Sequence, residues 1–226
     1  MKLFYILVTL LILVTGAYAR SEKEKFESAF ADLKRAIKEN QFLSTYTHLP
    51  EYKVITDMGY EVAPYIIEKM QTDADGFHLS SAMRQVSKRS FVYEPERKKL
   101  CQDGGSQALA KIYVTWWNKE RELTPNLFKD YYKKWHESKE LGDQDSASLM
   151  LLKIEALGIE ILPLLYETEN FHSDFFPIIC RLTNGDVTPC LNEAWKKYWE
   201  GKKGTFILSE NKSLTGESVT NNTHKN

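Results

Sequence analysis

Two stretches of the chain, 99 residues apart, carry the same punctuation. Ile55, Met58, Gly59, Val62, Pro64, Ile66, Glu68, Asp75, Phe77 and Met83 return as Ile154, Leu157, Gly158, Ile161, Pro163, Leu165, Glu167, Asp174, Phe176 and Leu182, with every spacing kept. Such self-similarity marks a tandem duplication. A repeated helical unit stacks on its copy to bury a continuous core, so this feature restricts architecture far more than chemistry.

The period inside each copy is helical. Phe26, Phe30, Leu33 and Ile37 form one stripe of an amphipathic helix over about Ser21 to Asn40. Pro50 opens a second helix and Gly59 closes it as a left-handed cap. A third runs from near Glu61 and Pro64 to about Gln71, a fourth from Phe77 to Lys88, and a fifth from Gln107 to Arg121. The second copy replays the order. Phe128, Tyr131 and Trp135 keep the spacing of Phe30, Leu33 and Ile37, and helices follow over Asp145–Leu157, Glu160–Thr168, Phe175–Thr183 and Pro189–Glu200. Asp174 reads as the N-cap of the helix containing Phe175 and Phe176. No stretch alternates at period two for long enough to read as a strand. The expectation is an all-α solenoid of about ten helices in two five-helix units, 20–122 and 123–201, followed by a polar, disordered tail over 202–226.

The Gly-to-Pro helix junctions, the Leu and Ile stripes and the closing Trp pairs resemble the helix-pair repeats of the ARM and HEAT superfamily. The nearer likeness is to short HEAT-like proteins of bacteria. It is carried by Leu157-Gly158, Pro163, Phe175-Phe176, Leu182-Thr183-Asn184-Gly185 and Ala194-Trp195 with Trp199 in the second unit, and by Met58-Gly59, Pro64, Phe77 and Trp116-Trp117 in the first. The resemblance covers residues 21 to 201. It implies a fold and a binding or scaffold role, and it names no partner.

The N-terminus reads as an export signal. Lys2 precedes an apolar run from Leu3 to Val14, and Ala17-Tyr18-Ala19 supplies the small residues of a cleavage site, giving a signal peptide over 1–19. An uncleaved anchor is the other reading, since about 17 apolar or small residues approach the length that spans a bilayer. The chain carries 30 basic and 31 acidic residues, and removal of the leader takes Lys2 with it. A near-neutral chain has no global field to hold a polyanion, which argues against a nucleic-acid partner. Of the three cysteines, Cys180 and Cys190 flank the Asn184-Gly185 turn and could bridge two helices, whereas Cys101 and Cys180 also read as small core hydrophobes.

Chemistry is sparsely signalled. Phosphate-loop, dinucleotide, zincin and Cys-x-x-Cys motifs are missing, so no catalytic, metal or cofactor residues are assigned. Gly104-Gly105-Ser106 offers only a weak anion-binding helix start, and His48, His78, His136 and His172 are dispersed. The main departure from the duplication is an insertion from Arg89 to Gly105, where the second copy needs only Asn184 to Thr188. Insertions in repeat proteins map to one face, often the binding face, although a surface loop is also tolerated without a role. The candidate contact residues are Arg97, Lys98 and Lys99 of the insertion together with Trp116, Trp135 and Trp195, because Trp dominates interface hot spots. Packing between helix layers is the competing explanation for the aromatics. The functional expectation is an exported protein-binding or scaffold module without a cofactor. The alternatives are an enzyme with a site assembled from dispersed residues, or a carbohydrate-binding module. The insertion is expected to be exchangeable for the short connection with little change in helicity or Tm.

Overall fold

The computed structural model describes residues 21–40, 46–167 and 173–185, together with 197, 200 and 201. These residues form helices and turns with no strand among them, and the protein is all-α. Backbone contacts divide the chain into two compact units, Met1–Arg121 and Glu122–Asn226. The signal peptide expected at 1–19, the tail expected at 202–226, Cys190, Trp195 and most of the helix expected over Pro189–Glu200 lie outside the described residues.

In the first unit, α1 (Glu22–Glu39) buries Phe26, Phe30 and Leu33 on one stripe. Its start is fixed by a capping box: the Glu24 N–H donates to Ser21 Oγ at 3.2 Å and the Ser21 N–H donates to Glu24 Oε2 at 2.8 Å. Pro50 sits in the first turn of α2 (Pro50–Asp57), where its missing N–H costs nothing. Gly59 then leads through a 3-10 turn at Tyr60–Val62 into α3 (Ala63–Thr72). A second 3-10 turn, Gly76–Leu79, precedes α4 (Ser80–Ser87), and α5 (Pro95–Thr115) follows. Lys34 on α1 reaches the turn after α3, its Nζ lying 2.9 Å from Asp73 and 3.3 Å from Asp75.

The second unit opens with α6 (Thr124–Glu140), which buries Phe128 and Trp135. The next helix, α7 (Gln144–Ala156), is capped by Asp143, whose Oδ1 accepts from the Ser146 N–H at 3.0 Å. Gly158 leads through a 3-10 turn at Ile159–Ile161 into α8 (Leu162–Glu167). The turn Ser173–Phe175 precedes α9 (Phe176–Leu182). Asp174 lies inside that turn and pairs with Lys139 of α6 at 3.1 Å. It is therefore not the N-cap of α9, a position held by Phe175 without a side-chain hydrogen bond.

The two junction glycines are near copies. Gly59 has φ 79° and ψ −160°, and Gly158 has φ 84° and ψ −166°. Positive φ with ψ near ±160° is territory essentially reserved for glycine, and it differs from the left-handed helical cap that the sequence suggests. Past the shared proline the register slips. Seventeen residues separate Val62 from Leu79 but fourteen separate Ile161 from Phe175, across the same succession of elements. From there the two units match at a spacing of 96: Leu79, Met83, Val86, Ser87 and Lys88 correspond in position to Phe175, Ile179, Leu182, Thr183 and Asn184. Both hydroxyls are buried and bond back one turn, Ser87 Oγ to the Met83 carbonyl at 2.6 Å and Thr183 Oγ1 to the Ile179 carbonyl at 2.8 Å. The next residue has φ 55° in each case. The pairs Phe77 with Phe176 and Met83 with Leu182 are thus coincidences of spacing, because the helix terminus and its hydroxyl set the structural register. The first helices behave similarly. Ile37 and Tyr131 are only half-buried, while Phe26 and Leu33 share their seven-residue spacing and their burial with Phe128 and Trp135.

Candidate interaction surface on the inserted segment

The segment from Arg89 to Gly105, expected to be a loop, is largely helical. Residues 95–104 form the first arm of α5, which turns at Gly105 (φ 56°, ψ −144°) into the expected fifth helix. Pro95 in the first turn starts the arm without cost, and a backbone that only glycine adopts freely ends it. Gly104-Gly105-Ser106 is consequently a bend between two helical arms. Ser106 Oγ lies 3.3 Å from Tyr46 Oη, which tethers the bend to the chain before α2.

A buried polar cluster holds the insertion down. Arg89 is 4% exposed, and its Nη2 donates to Glu94 Oε1 at 2.9 Å. The Tyr113 hydroxyl donates to the Arg89 carbonyl at 2.7 Å. Arg97 pairs with Glu94 at 3.1 Å and also with Glu120. The Arg89 and Arg97 guanidiniums each lie 5.0 Å from the Phe91 ring centroid, and Phe91 meets Tyr113 edge-on at 5.2 Å. Two buried or half-buried cations are matched by two carboxylates, as burial of charge requires. Burial also raises the Tyr113 hydroxyl above its usual range, and that group stays protonated.

These contacts decide what each sequence candidate does. Arg97 faces inward and is committed to Glu94 and Glu120. Trp116, 1% exposed, packs against Tyr113, Phe91 and Trp117. Trp135, 2% exposed, packs against Phe175 at 4.9 Å and Tyr132 at 5.5 Å. Both tryptophans are core residues that offer no surface to a partner in this structure, because large aromatic area is worth most inside the layer of helices. Trp195 lies outside the described residues. Lys98 and Lys99 are exposed on the outer side of the arm. The helical period explains the split: with Arg97 turned inward, the next residues are carried about 100° and 200° around the axis.

The inserted segment also exposes side chains that the charge pattern does not single out. Val92, Tyr93 and Leu100 are 47%, 37% and 55% exposed, within nine residues of sequence. In the sequence the signal for them is the Val92-Tyr93 pair ahead of the lysine run, which the surrounding charges and glycines mask. The insertion is also no dispensable loop. Deleting it would strip Phe91 and Arg89 from Tyr113 and Trp116, and Arg97 from Glu120, so exchange for the short connection should cost stability, contrary to the expectation from sequence.

Other candidate chemistry is thin. Cys101 and Cys180 are free thiols, each half-buried, and burial pushes the Cys101 thiol up. The His78 imidazole packs against Phe77 and Tyr46, and burial lowers its pKa. Among the described residues no three His, Cys, Asp or Glu side chains are grouped to hold a metal ion, and no helix is long and apolar enough to cross a membrane. No protein-family model matches the chain, and no curated protein or solved structure is detectably similar to it.

Proposed function

We propose that this chain is an exported, HEAT-like helical-repeat protein that binds a protein partner through the inserted segment Arg89–Gly105. The observation that carries the reading is the exposure of Val92, Tyr93, Lys98, Lys99 and Leu100 along one inserted segment that the buried Arg89 cluster anchors. Apolar side chains grouped on a folded surface and rimmed by charge are the usual composition of an interaction site, and a preorganised arm avoids the ordering cost of a flexible loop. The repeat reading is supported by the paired glycine junctions and hydroxyl-capped helix ends of the two units. Export is supported by Ala17-Tyr18-Ala19, and protein recovered from its host should begin at Arg20.

The test is a surface variant in place of a deletion. Val92→Ser, Tyr93→Ser, Lys98→Glu, Lys99→Glu and Leu100→Ser together leave the Arg89 cluster intact. Affinity purification of the exported protein from its host should recover a partner with the native chain and lose it with the variant, at unchanged helicity. Undiminished recovery would remove the insertion as the binding surface.

A further inference from the structure

A groove of about 480 Å³ runs along the second arm of α5, inside the first unit and apart from the exposed side chains of the insertion. One wall is a single helical face, Gln107, Ala110, Lys111, Val114 and Thr115, spaced i, i+3, i+4, i+7 and i+8. The other comes from the end of α3 and the turn after it, where Met70, Ala74 and Phe77 supply apolar surface and Asp73 a carboxylate. Gly105 sets this wall's direction, because the kink there aims the second arm of α5 past the turn.

The charges at the rim are unequal. Asp73 is already saturated: it accepts from Lys34 Nζ at 2.9 and 3.1 Å and from the Asp75 N–H at 2.9 Å. The Asp75 N–H, and then Lys34, hold its carboxyl below the usual range. Lys111 is exposed on the opposite wall and has no ion pair among the described residues. The groove therefore presents a mixed lining, with Met70, Ala74, Phe77, Ala110 and Val114 as its apolar part and Lys111 as its one cation, without an ion pair among the described residues. From Gln107 to Thr115 the wall rises about 12 Å along α5, enough for roughly four residues of extended chain.

We infer that this groove docks a short acidic, amphipathic segment of the partner, with one apolar side chain between Met70, Phe77 and Val114 and a carboxylate on Lys111 Nζ. The inference rests on the protein-binding reading above and adds a second contact to it. Charge-matched docking of this kind selects among partner segments by sign and relies on a wall that is already formed.

The probes are two blocked peptides of about seven residues, long enough to outspan the groove, one alternating leucine with glutamate and one alternating leucine with lysine. Each is titrated into the isotope-labelled full chain and read by amide chemical shifts. The glutamate peptide should move Ala74, Phe77, Ala110, Lys111 and Val114, and the lysine peptide should bind about five-fold more weakly, the size expected for one exposed ion pair. Lys111→Glu should reverse the preference. Ala74→Trp, a bulky ring at an exposed groove position, should abolish binding of both at unchanged helicity. Shifts that fall elsewhere, or a preference that survives Lys111→Glu, would overturn the inference. Equal occupancy by octanoate would also overturn it and assign the groove to a small amphiphile. Partner recovery that survives Ala74→Trp but fails with the insertion variant would remove this contact while leaving the function above in place.

Discussion

The two units solve the same local problem in different amounts of chain. At the junction between α2 and α3, and again between α7 and α8, a glycine with φ near 80° redirects the chain into a 3-10 turn and a helix with proline in its first turn. That geometry agrees to within a few degrees between the two units, and its sequence spacing is the same. The stretch that follows is three residues shorter in the second unit, yet the next helix still ends on a buried hydroxyl and a residue with φ 55°. Backbone conformations that few residues can adopt recur at matching positions in both units, whereas the length of chain between two such positions can differ at little cost. The insertion follows the same logic. It enters the first unit just after Lys88, the corresponding helix end, and is then secured by a charge cluster of its own.

The largest expected effect probes whether the two buried tryptophans are equivalent anchors. Trp116→Ala and Trp135→Ala should each destabilise the protein by about 3–5 kcal/mol in urea unfolding followed by circular dichroism. A value near zero for either would return that side chain to the list of available contact residues. Next come the junctions: Gly59→Ala and Gly158→Ala should each cost about 1–3 kcal/mol, and the two costs should agree closely, because the dihedrals do. Unequal costs would break the equivalence of the junctions. A smaller effect separates the two helix ends. Lys88 is a half-buried lysine in a left-handed conformation, and burial lowers its pKa, so Lys88→Gly should stabilise by about 1 kcal/mol. Asn184→Gly should change almost nothing, since asparagine tolerates that conformation.

The smallest effect concerns pH and belongs to the first unit alone. His78 packs against Phe77 and Tyr46, burial depresses its pKa, and the Asp75 carboxylate only partly opposes the shift. A histidine with a depressed folded pKa leaves the unfolded chain binding more protons. Stability from this group is therefore complete above about pH 6.5 and falls as the pH drops below it. His78→Phe should flatten that part of the pH–stability profile, measured against the native chain.

Much of the helical order was legible because the glycines, prolines and apolar stripes speak locally. Pro50, Gly59, Pro64 and Gly158 each mark a boundary seen in the structure. The register of the last helices was not legible, because Phe176 and Leu182 happen to continue a spacing that the backbone had already abandoned. The helical arm at 95–104 was hidden by its own composition: Arg97, Lys98, Lys99 and two glycines read as a solvated loop until Arg97 is seen to face Glu94 and Glu120. The tryptophans illustrate a different limit. Sequence supplies their spacing on a helix, but only the packing of Phe91 and Tyr113, or of Tyr132 and Phe175, determines which face is inward.

The central claim is that the first unit, through its insertion and the groove along the second arm of α5, meets the partner, and that the second unit does not. Hydrogen–deuterium exchange of the full chain, alone and with the partner it recovers, tests this most directly. The account gives partner-dependent protection over residues 92–103 and along the second arm of α5, with the α7 and α8 amides unchanged. Protection confined to α7 and α8, or spread evenly over both units, would contradict it.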